Sequence, residues 1–551
     1  MTEPTPARDR DALTAADAVV AALLDAGVSR LFGVPGGGSS LDLVAAAHRR
    51  GLPFALARHE AAAVIMAATT AEITGRPGAV LVTRGPGVAN AANGIAHASL
   101  DRAPVVLLAD GFTGAERAFA NHQWFDHAAM LAPVTKAAAK AVEPGTAAGP
   151  MAAALLDAAL AAPRGPVLLE ISGAAARAPA ALPPPPGAAI VGAPDAEALA
   201  AMRRLLAAAE RPVVVAGVDA ATADAAAALR RLVEALGCPA LVTYKAKGVV
   251  PDAHQLFAGV FTGGVAEGPV LRAADLIILA GADPVEFIPQ PWRYAAPVID
   301  IGTAPRSAHY TTPAAALYGP LAPALAALAD GARGGAWSTQ EIGEHRATWL
   351  ARLANAPAGG NRGLSPQAVV EAAQAACRRA GADPRVAVDA GAHMFPATTF
   401  WQASRPADLL ISNGLSTMGF ALPAGIAAAL HDPARGAIAF TGDGGLLMAL
   451  GELATAASLG VRLVVVVFND ASLSLIDIKR DARALPDGAL GWPRADFTAA
   501  MRAFGGSAFH AATEEEYAAA LDRALAAPGP VLIDVLVDPE SYPAQIKALR
   551  G

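Results

Sequence analysis

The chain has 551 residues, of which 54% are hydrophobic and 17% are charged, and its 42 basic and 49 acidic residues give a formal net charge of −7. This composition excludes an intrinsically disordered chain, and the acidic balance provides no overall basic field for holding nucleic acid. No run of about 20 strongly apolar residues predicts a membrane segment, and two isolated cysteines, Cys238 and Cys377, with no apolar signal core at the start of the chain, favour a reducing cytoplasm.

Two stretches are predicted to separate domains. Residues 176–189 contain a run of four prolines, which favours an extended segment, and residues 331–363 are rich in glycine on either side of a helix-like stretch. Division at these stretches gives three blocks, 1–178, 190–330 and 364–551, which agree with the usual size of about 150 residues per domain.

Each block alternates short apolar runs with helix-like segments. The runs are rich in valine and isoleucine and apolar on both faces, as are the strands of a parallel sheet that helices cover on both sides. In chain order they are RLFGV (30–34), AVLVT (79–83), VVLLA (105–109), PVLLEIS (166–172), PVVVAGV (212–218), LIILAG (276–281), PVIDI (297–301), RVAVD (385–389), LLIS (409–412), AIAFTG (437–442), RLVVVVF (462–468) and PVLIDVLV (530–537). The sequence therefore predicts an α/β fold of three doubly wound parallel-sheet domains, with ligands bound beyond the carboxyl ends of the strands.

The segment 437–474 carries the strongest chemical signal. One strand runs into Gly442-Asp443-Gly444-Gly445, a helix ended by Gly460 follows at 446–459, and the next strand ends at Asp470. Because one helix and one strand separate the two aspartates, we expect both side chains at the same edge of the sheet. Their oxygens suit Mg²⁺, and glycine amides at a helix N-terminus suit a phosphate, although two unrelated turns would give the same letters.

This layout resembles the diphosphate-binding motif of thiamine diphosphate (ThDP) enzymes, in which GDG is followed about 27 residues later by Asn or Asp. The resemblance implies that the Asp443 and Asp470 side chains and the Ser472 backbone carbonyl ligate Mg²⁺. Other segments resemble the same family in the same order along the chain: FGVPGGG (32–38), RHE (58–60), TRGPGVAN (83–90), HQWFD (122–126), DAGAH (389–393) and NGLSTMGFALPAGI (413–426).

The resemblance also implies which residues contact the cofactor. Glu60 is expected to hydrogen-bond the pyrimidine ring, and Met418 is expected to be the large apolar residue on which the cofactor bends. Gln123 and His122 are further candidate catalytic residues, and His127 is a weaker candidate proton donor. The full set of expected cofactor contacts is Pro35, Glu60, Pro86, Asn90, Ala390, Gly391, Ala392, His393, Ser416, Met418, Gly442, Asp443, Gly444, Gly445, Asp470, Leu473 and Ser474.

The nearest resemblance is to acetolactate synthases and to benzoylformate or phosphonopyruvate decarboxylases. It implies a ThDP- and Mg²⁺-dependent carboligase that decarboxylates a 2-keto acid and transfers the acyl carbanion equivalent to a carbonyl acceptor, since the thiazolium ring supplies the electron sink. A non-ligating decarboxylase, a CoA-thioester lyase of the same fold and a non-catalytic cofactor-binding scaffold remain alternatives. The resemblance further implies a homodimer at least, and commonly a homotetramer, because each site combines the first domain of one subunit with the third domain of another.

Three positions depart from these relatives. Gly37 stands where benzoylformate decarboxylases have a catalytic serine, Arg84 stands where they have a histidine, and Lys479 stands where biosynthetic acetohydroxy acid synthases have a tryptophan. The central block shows no clear flavin-binding arginine pattern. Arg84 and Lys479 are candidates for binding an acidic donor or acceptor, and surface ion pairs are the alternative.

Overall fold

A computed structural model of the protein describes residues 13–182, 192–306, 310–354, 363–486 and 490–551. The chain divides into two compact units, Met1–Ala188 and Ala189–Gly551. The proline run at 183–186 and much of the second predicted linker, at 355–362, lie outside the described residues. Among the described helices, none combines the length and apolar character that a membrane span requires.

The first unit contains one six-stranded sheet with the order β2-β1-β3-β4-β6-β5, and all its strands are parallel. Its strands are β1 (Leu31–Val34), β2 (Phe54–Leu56), β3 (Gly78–Val82), β4 (Val105–Asp110), β5 (Ala137–Ala141) and β6 (Val167–Ile171). Its helices are α1 (Ala15–Asp25), α2 (Ser39–Arg49), α3 (Glu60–Thr74), α4 (Pro86–Leu100), α5 (Gly114–Arg117), α6 (His127–Leu131), α7 (Ala148–Leu160) and α8 (Gly173–Ala176), with a 3₁₀ turn at Ala132–Val134.

The second unit contains two further parallel six-stranded sheets, with the orders β12-β11-β10-β7-β8-β9 and β14-β13-β15-β16-β18-β17. The strands of the former are β7 (Pro212–Ala216), β8 (Ala240–Val242), β9 (Phe257–Val260), β10 (Leu276–Ala280), β11 (Val298–Gly302) and β12 (Ala315–Tyr318). The strands of the latter are β13 (Arg385–Val388), β14 (Leu409–Ile411), β15 (Ala437–Gly442), β16 (Leu463–Asn469), β17 (Ser507–Ala511) and β18 (Val531–Leu536).

Fourteen numbered helices and three 3₁₀ turns accompany these two sheets in the described part of the unit. The helices are α9 (Ala196–Ala208), α10 (Ala223–Leu236), α11 (Gly268–Arg272), α12 (Leu321–Ala329), α13 (Thr339–Leu353), α14 (Pro366–Ala380), α15 (Met394–Phe400), α16 (Ala421–His431), α17 (Asp443–Ala449), α18 (Glu452–Leu459), α19 (Ser474–Ala482), α20 (Phe497–Ala503), α21 (Glu514–Ala526) and α22 (Tyr542–Arg550). The 3₁₀ turns are Val218–Ala220, Pro284–Glu286 and Pro539–Ser541.

The predicted α/β fold class is confirmed, because all twelve apolar runs form strands of three parallel sheets. Their central strands are almost wholly buried, so their side chains form the cores between sheet and helices. The predicted helix at 446–459 is wrong in one respect: the structure has two helices there, α17 and α18, separated at Leu450 and Gly451. Gly460 ends α18 in a left-handed conformation with φ 61°, as a glycine after a helix is expected to do.

Within the second predicted linker, the helix-like stretch is α13, and it packs Ile342, Trp349 and Leu353 into the core of the second unit. This stretch therefore contributes to a folded domain as well as joining two sheets. The first and third sheets share one strand order, with the second strand beside the first and the sixth strand beside the fourth. At the carboxyl edge of each of these two sheets lie residues that the sequence predicts to be functional.

Candidate active site

Two acidic loops meet at the carboxyl edge of the third sheet. Strands β15 and β16 are neighbours, and Gly442 pairs with Phe468 where they end. Asp443 begins α17, and its carboxylate accepts hydrogen bonds from the backbone N–H of Gly444 at 2.7 Å and of Ala471 at 2.6 Å. The loop after β16 is thereby tied directly to the aspartate after β15, which is the proximity that the spacing of the two motifs predicts.

The two carboxylates affect each other's protonation. Asp443 is only 2% exposed, and burial, together with the neighbouring charge of Asp470, raises its pKa to about 7. Burial also raises the pKa of Asp470, whose carboxylate accepts hydrogen bonds from the Ser474 hydroxyl and from the Ser472 backbone N–H. Like charges on a buried and a half-buried carboxylate in adjoining loops are unfavourable unless a proton or a cation is shared between them. The donor set is entirely oxygen, so these residues fit a divalent magnesium ion.

A third buried carboxylate organises the loops around this pair. Asp389, directly after β13, is fully buried and accepts hydrogen bonds from the backbone N–H groups of Ala390, Gly419 and Phe420 at 2.9, 3.2 and 3.1 Å. The Thr441 hydroxyl donates a fourth bond at 2.8 Å, and burial raises the pKa of Asp389 to about 6. One side chain thus holds the ends of β13 and β15 and the loop of Met418 in register, and the sequence assigned it no role of its own.

His393 lies beside the same loops as a buried neutral ring. Its ring stacks on Phe468 with centroids 5.3 Å apart, and burial lowers its pKa to about 3. Its Nε2 atom is buried and makes no hydrogen bond to any residue that the structure describes. A buried polar atom of this kind requires a partner, so it is a second observation that fits a polar group such as a diphosphate at this edge.

Three side chains surround the glycine that follows Asp443. A Cβ atom on Gly444 would lie 3.1 Å from the side chains of both Leu473 and Trp492 and 3.4 Å from the Met418 side chain, so only glycine fits there without displacement. Trp492 reaches this position because its backbone N–H donates to the carbonyl of Ala471 at 3.1 Å. The sequence predicted Met418 and Leu473 here but missed Trp492, which lies 49 positions from Asp443 and belongs to no local motif.

The remaining predicted contacts of this unit lie in the same three loops. Gly391 and Ala392 follow Ala390, Gly445 follows Gly444 in α17, and Ser416 lies in the loop before Met418, where its hydroxyl donates to the Asn413 carbonyl at 3.2 Å. Ser416 and Ala471 are both in the left-handed region, with φ values of 54° and 61°. Non-glycine residues rarely adopt this conformation, and its presence in both loops is typical of backbone held in place for a function.

The predicted residues of the first unit lie at the carboxyl edge of its own sheet. Glu60 begins α3, is 7% exposed, and accepts a hydrogen bond from the Asn90 side chain at 3.0 Å through Oε2. Asn90 lies in α4, whose first residue is Pro86, and Pro35 follows β1 at the same edge. The structure therefore brings Glu60 and Asn90 together, which no pairing in the sequence analysis specified.

The loop with the other catalytic candidates divides into exposed and buried residues. His122 and Gln123 are both exposed, and Gln123 has a positive φ of 58°. His127 is 1% exposed, and its Nε2 accepts a hydrogen bond from the Gly85 backbone N–H at 3.0 Å. A buried ring that already accepts at Nε2 cannot give a proton to a substrate from that atom, so the structure does not support the predicted role of His127 as a donor.

The three departures from the resemblance have distinct environments. Gly37 faces open space, since a Cβ atom there would meet nothing within 4 Å. The Arg84 guanidinium stacks on the Phe112 ring at 4.1 Å, which fixes it at the edge of the first sheet. Lys479 is exposed on α19.

Comparisons with known proteins match three segments of the chain to domains of one family. Family models of the thiamine pyrophosphate enzymes match residues 13–130 as the N-terminal TPP binding domain, 199–328 as the central domain and 389–535 as the C-terminal TPP binding domain. The chain is 30% identical to the catabolic acetolactate synthase of Raoultella terrigena, over 98% of this chain and 97% of that protein. It is 28% identical to the acetolactate synthase of Bacillus subtilis (strain 168), over 95% of this chain and 93% of that protein.

The chain is also similar, along most of its length, to one decarboxylase sequence and to one solved structure. The chain is 31% identical to the probable 2-ketoarginine decarboxylase AruI of Pseudomonas aeruginosa, over 91% of this chain and 90% of that protein. The solved structure of the Rhodococcus jostii RHA1 thiamine diphosphate-dependent 4-hydroxybenzoylformate decarboxylase superposes with a TM-score of 0.82 at 22% identity, covering 96% of this chain and 99% of that one. At that identity the structural likeness establishes the fold.

Proposed function

The chain belongs to the thiamine diphosphate-dependent enzyme family that includes the acetolactate synthases, and on that premise we propose that it is a ThDP- and Mg²⁺-dependent carboligase. Its reaction would remove CO₂ from a 2-keto acid and join the remaining acyl unit to a carbonyl acceptor. The observation that carries the proposal is the pair of buried Asp443 and half-buried Asp470 at one sheet edge, in a chain that is similar to two acetolactate synthases along nearly its whole length.

Some residues of the site would hold the cofactor and its metal ion, and one would hold a proton. When bound, the thiazolium ring supplies the electron sink that decarboxylation requires. Asp443, Asp470 and the Ser472 carbonyl would hold Mg²⁺, and the raised pKa values of the two carboxylates would fall once the ion neutralises them. Asn90 holds Glu60 through Oε2, and we assign Oε1 to the pyrimidine ring, where Glu60 would hold the proton that activates the cofactor.

Product analysis tests the reaction. Purified protein with MgCl₂ and ThDP is incubated with pyruvate, first alone and then with an added aldehyde. The proposal expects an acetohydroxy acid or a mixed 2-hydroxyketone. Release of aldehyde alone would favour the non-ligating decarboxylase, which the likeness to the 2-ketoarginine decarboxylase supports. If the protein binds ThDP but consumes no member of a broad 2-keto acid panel, it is a cofactor-binding scaffold and the proposal fails.

We further propose that the central domain binds neither flavin nor a CoA nucleotide. The strand order β12-β11-β10-β7-β8-β9 places the usual dinucleotide position between β7 and β10. The buried Glu286 carboxylate occupies that position and accepts from the backbone N–H of Val218 at 3.0 Å and from the Thr243 hydroxyl at 2.5 Å. The Asp283 backbone N–H also donates to Glu286 at 3.0 Å, so two amides that a phosphate would need are already bound to a carboxylate.

A second side chain closes the same crevice. The Arg306 guanidinium lies 2.6 Å from Asp219 and 3.3 Å from Asp283, beyond the ends of β7 and β10. Absence of flavin absorbance in the purified protein, together with no thermal stabilisation by ADP or CoA, is the expected result. A nucleotide that co-purifies or raises the melting temperature would refute this part and revive the CoA-thioester lyase.

The proposed assembly is a homodimer at least, and a homotetramer by likeness to the family. We assign Glu60 of one subunit and Asp443 of another to the same cofactor. Mixed dimers of a Glu60→Gln chain and an Asp443→Asn chain test this, because one of their two sites then carries both substitutions and the other carries neither. Such dimers should recover about half of the wild-type activity, whereas no recovery would show that each site lies within one chain. The two buried free cysteines, Cys238 and Cys377, support the reducing cytoplasm as its location.

A further inference from the structure

We propose that His127 is a positioning residue, which with Glu170 fixes the turn at Gly85 and through it the surroundings of Glu60. The inference deepens the proposed function and rests on it for the role of Glu60. It replaces the proton-donor role that the sequence suggested for His127 with one that acts through the backbone.

The hydrogen bonds of His127 define its tautomer. Its Nε2 accepts from the Gly85 N–H at 3.0 Å, so the proton of the neutral ring is on Nδ1. Nδ1 lies 3.2 Å from Oε2 of Glu170, a residue near the end of β6, and donates its proton to that oxygen. His127 and Glu170 are 1% and 7% exposed, and the Lys140 ammonium lies 3.4 Å from the other oxygen of Glu170. A charged acceptor thus selects the tautomer that the Gly85 amide needs.

The turn to which His127 is hydrogen-bonded has a backbone conformation that only glycine adopts readily. Gly85 has φ 64° and ψ −107°, and a Cβ atom there would lie 2.6 Å from the Gln123 carbonyl oxygen. Only glycine fits, so the turn packs closely against the loop of the exposed candidate Gln123. The bond from the Gly85 amide to His127 is the side-chain contact that ties this turn to α6, where His127 is the first residue.

The position of the turn matters because α4 begins immediately after it. Two residues on, a Cβ atom at Gly87 would be 3.5 Å from Oε1 of Glu60, so the first turn of α4 packs on the carboxylate. One turn further, Asn90 donates to Oε2 of Glu60 at 3.0 Å. A shift of the Gly85 turn would therefore displace the start of α4 beside Glu60 and the Asn90 hydrogen bond to it. In an active site, misplacement by about 1 Å costs about a hundredfold in rate.

Two substitutions at one position separate the hydrogen bond from the bulk of the ring. His127→Gln keeps an oxygen near the place of Nε2 that can accept from Gly85, whereas His127→Leu keeps the volume and removes the acceptor. His48→Leu is the matched control, because His48 is an exposed histidine of α2 in the same unit. Amide hydrogen exchange of the peptide 83–90 is measured without cofactor, and kcat and KM for the 2-keto acid are measured with ThDP and MgCl₂.

We expect His127→Leu to speed exchange at Gly85 by about tenfold, as loss of one hydrogen bond allows, and to lower kcat by about ten- to a hundredfold with little change in KM. His127→Gln should stay within about threefold of the wild type in both the exchange rate and kcat, and His48→Leu should match the wild type. Wild-type exchange and kcat in His127→Leu would overturn the proposal, as would a His127→Gln chain as impaired as His127→Leu. If the wild type itself converts no 2-keto acid, the proposed function fails, while the exchange measurement still decides the role of the His127 bond.

Discussion

We predict that Asp443→Asn, a substitution at the proposed metal site, stabilises the metal-free protein. Burial and the charge of Asp470 raise the pKa of Asp443 from 3.8 to about 7. Below pH 3.8 the Asp443 carboxyl is protonated in both the unfolded and the folded protein, and the free energy of unfolding is highest. As the pH rises from 3.8 through about 7, the unfolded state loses this proton more readily, so the free energy of unfolding falls. At pH 8, in the absence of metal, the ionised carboxylate therefore costs the fold about 4 kcal/mol relative to a neutral group.

Asp443→Asn removes the charge and keeps the shape. The amide oxygen can still accept from either Gly444 or Ala471, but one of these two N–H groups loses its acceptor, at a cost of about 1 to 3 kcal/mol. The net expectation is a metal-free variant that is more stable than the wild type at pH 8 by about 1 to 3 kcal/mol. For a domain of this size that corresponds to a melting temperature higher by about 2 to 4 °C per kcal/mol.

The assay is thermal unfolding followed by circular dichroism at pH 5 and pH 8, with EDTA or with MgCl₂ and ThDP. The wild type in EDTA should melt at a lower temperature at pH 8 than at pH 5, and MgCl₂ with ThDP should restore it, whereas Asp443→Asn should show neither response. Asp522→Asn is the control, because Asp522 is a 63% exposed carboxylate of the same unit that pairs with Arg379. A variant that melts below the wild type in EDTA at pH 8, or that still responds fully to MgCl₂, would refute the reasoning.

Three further substitutions test other parts of the site. Glu60→Gln should leave ThDP affinity within a few-fold by calorimetry but lower 2-keto acid turnover by about 10² to 10⁴, and near wild-type turnover would remove Glu60 from the proton transfer. Asp389→Ala leaves four hydrogen-bond donors without their acceptor, so the free energy of unfolding should fall by about 3 to 5 kcal/mol and the melting temperature with it. An unchanged melting temperature would show that the three loops are held by other contacts. Met418→Ala should weaken ThDP binding and lower kcat by about tenfold or more without a large loss of fold, because Met418 packs at Gly444 on the edge of the core; equal affinity and rate would mean that it does not shape the cofactor.

The fold class was predictable because central strands of parallel sheets are buried on both faces. Runs such as RLVVVVF become strands such as Leu463–Asn469 with their valines fully or nearly buried. The strands that the sequence missed include edge strands such as β5 and β17, whose residues AAAKA and SAFHA are partly exposed and carry little preference for strand structure. The break between α17 and α18 was missed because the apolar pattern continues across Gly451.

The candidate site was predictable only where local sequence determines the geometry. Asp443 and Asp470 each follow a strand, and adjacent parallel strands bring their loops together whatever the rest of the chain does. Trp492, Glu170 and the organising role of Asp389 depend on contacts between segments that are far apart in the chain, and no periodicity or motif encodes such contacts. His127 was noticed as a histidine, but its role required the position of Gly85, 42 residues away.

The central sheet has a strand order at which dinucleotides bind, yet Glu286 and Arg306 fill the crevice with the chain's own charges. On our proposal that this domain binds no nucleotide, its stability should not vary with the nucleotide supply. The central domain also contacts the third domain, because Asp252, buried and paired with Lys247, accepts a hydrogen bond from the Ala403 backbone N–H at 3.2 Å. We therefore expect substitutions of this pair to affect catalysis only indirectly, through the packing of the central domain against the third.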